Sequence, residues 1–275
     1  MKNILVAIDF SKNAEHALQY ALMYAEKLNA SLYLIWVDNS VSEDGVLDTI
    51  ERDLRTEKKE YLKSIVKEYN EKYPNIKFEI LLRKGRVYQE IAKAAGQINA
   101  DMIFTGTHGV SGYEQHWIGS NTYRIVTHAP CPVATVRSSY EITSRLDNIL
   151  VPLDSSLETK QKLPFICELA QKFDACIHLL EVYTSNLSVI RKRIHKFGEE
   201  AVKCMNERGV KYELEKVDVK NVVSSIIEYG KSNNIDLIAI MTEQDSTTAN
   251  KFLGPYAQQL INNSDIPVVS VRSKN

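Results

Sequence analysis

The sequence predicts an α/β protein built from two tandem doubly wound domains, each a five-stranded parallel sheet flanked by helices. Three observations carry that prediction: short β-branched apolar runs alternate with longer stretches of helical period, the whole pattern occurs twice, and both copies close on nearly the same strand. The first copy opens with "NILVAIDFSKNAEHALQYALMYAEKLNASLYLIWVD", Asn3 to Asp38. It reads again as "NILVPLDSSLETKQKLPFICELAQKFDACIHLLEVY", Asn148 to Tyr183, with Asp9 matched by Asp154. "APCPVATVR", ending at Arg137, is echoed by "SDIPVVSVR", ending at Arg272. The expected domains are therefore residues 1–138 and 146–275, with a polar joint around Ser138 to Asp147.

In chain order, the first copy gives strands at "ILVAI", "SLYLIWV", "FEILL", "DMIFTG" and "PVATVR". Between them, Ala14 to Leu28 repeats apolar residues at helical spacing. Val46, Ile50 and Leu54 begin a long helix that continues through Tyr61, Ile65 and Tyr69. Val87 to Gly96 and Ser120 to Thr127 supply the remaining helices. The second copy repeats the order with "ILVPL", "CIHLLEV", "KYELEKV", "DLIAIM" and "PVVSVR" and corresponding helices between them.

Composition narrows the function. In 275 residues, 44% are hydrophobic, 25% are charged and the net charge is −1, so there is no general electrostatic attraction for nucleic acid or an anionic membrane. The start "MKNILVAIDFS" runs directly into a strand pattern without the apolar core of a signal peptide, and no apolar run is long enough to span a bilayer. Cys131, Cys167, Cys176 and Cys204 form no CxxC pair, which fits free thiols in a reducing cytoplasm. The alternating charges of "SEDGVLDTIERDLRTEKKEYLK" read as a solvated helix face.

Open parallel sheets bind ligands beyond the carboxyl ends of their strands. Two features of the first copy fall there: Asp9 after the first strand, and the glycine-rich stretch "GTHGVSGYEQHWIGSNTYR", Gly106 to Arg124, after the fourth. Glycines at such a turn reach positive φ and admit close approach to the backbone, and a helix N-terminus following them offers free N–H groups to an anion. The stretch lacks the lysine of a Walker loop and the spacing of a dinucleotide fingerprint. On spacing alone, a phosphate site and a plain structural turn both remain open.

Gly106 and Gly109, then nine residues, then Gly119-Ser120, form a G-2x-G-9x-G-[S/T] pattern that resembles the nucleotide motif of the universal stress protein family. "ILVAIDFS", "IWVDN", "MIFTGTHG" and "HAPCPVATVR" resemble that family in the flanking strands, and the likeness covers nearly the whole chain in two copies. The resemblance implies two Rossmann-like domains of the adenine nucleotide alpha hydrolase type. It implies ATP or a related adenine nucleotide in the first of them. Asp9 is then expected at the ribose or adenine and Val37 along the adenine, while Gly106, Gly109, Gly119 and Ser120 hold phosphates. Ala7 and Asn121 flank the contacts, and Thr105 stands where the family often has methionine.

The second copy departs from the motif. Met241 replaces Gly106, Gln244 replaces Gly109, and Gly254 is followed by Pro255 instead of serine. Side chains at the glycine positions block close approach, Glu243 and Asp245 repel phosphate, and proline removes an N–H. A degenerate second domain without nucleotide is expected. The resemblance also implies that the last strands lie side by side as an intramolecular pseudo-dimer, with further homodimerisation compatible.

Other residues carry weaker expectations. His108 reads as a loop-packing or hydrogen-bonding residue, and His116 and His128 lack metal-ligand spacing, although Cys131 follows His128 closely. Asp9 reads as a ligand contact, with capping of the next helix as its alternative because "DFSKN" resembles a cap, and Asp154 reads as a helix cap alone. Trp36 and Trp117 have packing roles available. The functions compatible with this reading are a nucleotide-dependent stress-response protein, a slow ATPase or self-phosphorylating protein using Mg²⁺ with Ser120 or Thr107 as acceptor, and a nucleotide-free scaffold or small-ligand carrier.

Overall fold

The computed structural model describes residues 1–39, 47–107, 118–242 and 253–273, with residues 47–54 described by their backbone alone. Val46 therefore lies outside the described residues. The first half runs β1 (Asn3–Ala7), α1 (Lys12–Leu28), β2 (Ser31–Asp38), α2 (Leu47–Lys72), β3 (Phe78–Lys84), α3 (Val87–Gln97), β4 (Met102–Gly106), α4 (Ser120–His128) and β5 (Val133–Val136). The second runs β6 (Asn148–Leu153), a 3₁₀ turn (Leu157–Lys160), α5 (Leu163–Phe173), β7 (Cys176–Tyr183), α6 (Ser188–Glu207), β8 (Tyr212–Asp218), α7 (Val222–Ser232), β9 (Leu237–Thr242), α8 (Pro255–Asn263) and β10 (Val268–Arg272).

Local chemistry sets the ends of these elements. Ser11 starts α1 by accepting the Ala14 N–H at 3.1 Å, and Asn29 ends it in the left-handed region at φ 50°, which asparagine tolerates. In the second half, the repeat aligns Leu163 with Leu18, so α5 begins well after the point where α1 does. Pro164 explains the delay. Without an N–H, and with its ring against the preceding turn, proline sits in the first turn of a helix but not further in. The residues before it form only the 3₁₀ turn.

The strands join in one ten-stranded sheet of order β3-β2-β1-β4-β5-β10-β9-β6-β7-β8. Every neighbouring pair is parallel except β5 with β10. At that seam Ala134 opposes Val269, its own counterpart in the other copy, while Thr135 opposes Val268 and Val133 opposes Ser270. A pseudo-twofold axis thus passes through the Ala134–Val269 pair. Thr135 Oγ1 also donates to the Val268 carbonyl at 3.2 Å. Pairing removes what would otherwise be two apolar edges, and the outer edge β8 presents Glu213, Glu215 and Lys216 to solvent.

Side chains leave the strands on alternate faces, and each face carries a core. Ile4 and Val6 point with Leu34 and Phe104 toward α1 and α5, whereas Leu5 and Ile103 point toward α3 and α4. The first of these cores is continuous across both halves. Its centre is aromatic: Tyr24 packs on Phe104 at 5.0 Å and on Phe173 at 4.9 Å, and Tyr20 packs on Phe104 at 5.9 Å and on Tyr140 of the joint at 5.8 Å. Tyr20 and Tyr24 hydroxyls are 3.1 Å apart, which satisfies both in a buried setting. Among the described residues no helix is long and apolar enough to cross a membrane.

Phe104 has no exposed surface and lies at the meeting point of this cluster. Phe104→Ala is expected to lower unfolding stability by about 3–5 kcal/mol. Urea denaturation with an unchanged slope provides the measurement.

Candidate functional site

The strand order reverses direction between β1 and β4, because α3 carries the chain back across β1 to β4. A crevice at such a reversal is where open α/β sheets take ligands. Here it holds a cavity of about 300 Å³. Ala7 and Asp9 reach it from β1, Val37 from β2, Thr105 and Gly106 from β4, and Gly119, Ser120 and Asn121 from the start of α4. These residues are far apart in sequence and the fold brings them together. Gly109, with His108, His116 and Trp117, lies outside the described residues. The sequence reading missed Val87 and Ile91 of α3, which add to the apolar lining alongside Ile35 and Val37. Their helical periodicity announced a buried face but not which one.

Asp9 closes a turn instead of capping α1: its Oδ1 accepts the Ser11 N–H at 3.0 Å, and Ser11 is the cap. Between them Phe10 sits at φ 65°, a left-handed conformation costing about 1–2 kcal/mol for a residue of this kind. Its ring packs on Trp36 at 6.2 Å and on Tyr61 at 5.3 Å, contacts that offset the strain. Asp154 makes the corresponding contact without a left-handed residue between, its Oδ1 accepting both the N–H and the hydroxyl of Ser156 at 2.8 and 2.5 Å, so it too is no helix cap.

Gly106 is required for a reason different from the one expected. It does not adopt positive φ. A Cβ built there would lie 2.7 Å from Asn13 Cβ and 2.8 Å from the Asn13 backbone carbon, so the first turn of α1 leaves room for hydrogen only. The Gly106 carbonyl accepts from Thr122 Oγ1 at 2.8 Å, and the Gly119 N–H donates to the Thr107 carbonyl at 2.9 Å. Both bonds tie the start of α4 to the end of β4. Thr107 is buried, with 2% of its surface exposed, whereas Ser120 and Asn121 are exposed.

No side chain caps α4, and its first turn has no acidic residue. The leading N–H groups, at Ser120 and Asn121, therefore stand at the cavity with the positive end of the helix dipole behind them. Such an end accepts an oxyanion. Asp9 is the only ionisable side chain among the described lining residues. No cluster of three metal-ligating side chains occurs among the described residues. The four cysteines are free, and burial pushes the Cys131 and Cys167 thiols up to about 12, outside the nucleophilic range.

The second half reaches this site. Asn262 of α8 accepts the Ile118 N–H through its Oδ1 at 2.5 Å, immediately before Gly119. The Asn262 carbonyl accepts from the Arg137 guanidinium, and the Tyr123 hydroxyl of α4 accepts the Leu253 N–H at 3.2 Å. The entrance to α4 is thus held by the opposite domain.

The corresponding crevice of the second half encloses about 460 Å³ and is built differently. Met241 lines it where Gly106 stands in the first half, and the strand register agrees with that match, since Gly106 opposes Val136 and Met241 opposes Val271. Pro255 takes the first position of α8, removing one N–H. Gln244, Glu243 and Asp245 lie outside the described residues. Lys162 also lines this cavity, with 2% of its surface exposed. Burial pulls its ammonium down from 10.5 to about 8, against an opposing pull from Asp154.

Two outcomes follow. Asn262→Ala strips the Ile118 amide of its buried acceptor, with an expected loss of about 1–3 kcal/mol. Hydrogen exchange at that amide should accelerate before global unfolding. For Lys162, the unfolded chain binds the proton more tightly than the folded one. Wild-type stability should therefore rise relative to Lys162→Met between about pH 8 and 10.5, by on the order of 3 kcal/mol in all. Paired denaturation curves across that range would test the sign.

Residues 1–137 and 145–272 each match the sequence model of the Universal stress protein family. A universal stress protein of Staphylococcus aureus strain USA300 is 33% identical over 141 residues, covering 50% of this chain and 84% of its own length. The crystal structure of a universal stress protein from Archaeoglobus fulgidus superposes with a TM-score of 0.74 at 18% identity, over 99% of this chain and 97% of that one. A Pseudomonas aeruginosa protein of the same description gives 0.68 at 15% identity, over 99% and 94%. Those two structures share the fold along both halves. With the family pattern matched twice from one end of the duplicated sheet to the other, the chain belongs to the universal stress protein family as a tandem, two-domain member.

Proposed function

We propose that the first cavity binds an adenine nucleotide, with ATP the expected form, and that occupancy biases the shape of the protein in a cytoplasmic stress response. The observation that supports this reading most is the uncapped, acid-free start of α4 with its leading N–H groups facing a switch-point crevice, whereas the likewise uncapped α8 begins on Pro255, which has no N–H. Phosphate oxygens would meet the N–H and hydroxyl of Ser120 and the N–H of Asn121. The carboxylate of Asp9 suits ribose hydroxyls as a hydrogen-bond acceptor, and Ile35, Val37 and Ile91 offer the flat apolar walls a base requires. Gly109 belongs to the same proposal through the motif.

Mg²⁺, if it accompanies the nucleotide, would come as a phosphate complex, with Asp9 as the one lining carboxylate among the described residues. Asp9 is also the one candidate base among them, and it is already engaged in its turn. Binding without rapid turnover fits that inventory. The free thiols suit a reducing compartment.

Titration calorimetry with MgATP, MgADP and AMP should give one site per chain. Ser120→Pro copies the arrangement at Pro255, a change that a helix start tolerates, so the melting temperature should hold while affinity falls about tenfold. Two sites per chain would put a nucleotide in the second half as well. Absence of binding to folded, nucleotide-stripped protein would end the proposal.

A further inference from the structure

Lys162 is out of place for its surroundings. The repeat aligns it with Ala17, a fully buried residue of α1, so a charged side chain has entered a position that the fold keeps out of water. Its ammonium donates to the Thr159 carbonyl at 2.8 Å and to Thr159 Oγ1 at 3.3 Å, both neutral acceptors. Among the described residues no carboxylate comes within ion-pair distance, and the Asp154 Oδ1 is taken by Ser156. Asp154 pulls on the ammonium through space without forming an ion pair, and burial outweighs that pull; an ammonium held this way is costly, and a methionine would fill the same volume without that cost. The arrangement makes sense when an anion arrives from outside.

The cavity that Lys162 lines determines which anion. Its walls are Val182, Ile194, Ile226, Ile240 and Leu260, drawn from five separate elements, and its volume of about 460 Å³ suits a small organic molecule. A polyphosphate does not fit this chemistry. Asp154 and Glu158 line the same space, one lysine cannot balance several negative charges, and Pro255 weakens the helix start that would help. A single negative charge on an apolar body does fit. Pro164 makes the room: by delaying α5 it replaces the first turns of a helix with a 3₁₀ turn, and Met241 occupies a place where α1 would not have allowed a side chain.

We propose that the second-domain cavity is a binding site for a small monocarboxylate with an apolar body, its carboxylate on the Lys162 ammonium and its hydrocarbon against Ile226 and Ile240. This site is independent of any nucleotide in the first half. At neutral pH Lys162 is mostly protonated, since its depressed value still lies near 8.

Octanoate and its uncharged analogue octanamide serve as probes on the full chain, read by methyl NMR of labelled isoleucines. Octanoate should shift Ile194, Ile226 and Ile240 in a saturable manner and leave Ile35 and Ile91 of the first cavity unmoved. It should bind at least about tenfold more tightly than octanamide, the effect of one charge-assisted hydrogen bond. Lys162→Met should erase that preference while the melting temperature holds or rises. Ile240→Trp, which fills the cavity without touching the lysine, should abolish binding of both probes. Shifts confined to Ile35 and Ile91, equal affinity for the two probes, a preference that survives in Lys162→Met, or no saturable shift at all would each overturn the assignment.

Discussion

The antiparallel contact between β5 and β10 is the constraint on which the rest depends. Each half alone is a five-stranded sheet with an apolar terminal strand, and that strand must be covered. Opposing Ala134 to Val269 covers both at once and turns two sheets into one. From that seam the remaining geometry follows. The core facing α1 and α5 becomes continuous, Tyr24 reaches Phe173 across the boundary, and α8 comes to lie where Asn262 can hold the residue preceding Gly119. The opposite half is thereby part of the support for the first cavity, while the described residues that line it all come from the first half.

The two crevices illustrate how a few linked substitutions change what one topology can accept. In the first, a regular α1 presses Asn13 against β4, which forces glycine at 106 and leaves a narrow space ending at an uncapped helix. In the second, Pro164 holds the helix back, methionine fits at 241, and lysine enters at 162. None of these changes suits the other half. Met241 opposite a full-length α1 would collide with backbone, and Lys162 inside the regular helix would have no cavity to face.

Much of this is legible in the sequence because the duplication repeats the first and last strands closely and the others in apolar pattern, and because strand-end residues in a parallel sheet must converge. The order of the strands alone therefore brings Asp9, Thr105 and Ser120 together. That Gly106 faces Asn13 too closely for a side chain is not legible, since steric pressure from a packed helix leaves no trace in local pattern. Lys162 escapes notice for the same cause. A lysine between glutamine and leucine reads as solvent-facing on local pattern, although the repeat sets it opposite buried Ala17, and the delay of α5 at Pro164 is what leaves a cavity beside it. The Asn262–Ile118 bond joins residues 144 positions apart, a separation at which a single sequence carries no pairing signal.

The joint between the halves has a kinetic and evolutionary meaning beyond its packing. Residues 137–147 are short and pinned, with the Ser138 N–H on Asn13 at 3.0 Å and the Tyr140 carbonyl on His16 at 2.6 Å. A tether of this kind holds the partner domain at an effective concentration on the order of millimolar or higher, so the pairing does not weaken when the protein is scarce. Two separate identical chains would come apart on dilution and would carry every substitution twice. Here a change in one half stays in that half. Covalent linkage frees the twofold from its own symmetry, so the two crevices can diverge in what they accept while the seam that joins them is kept.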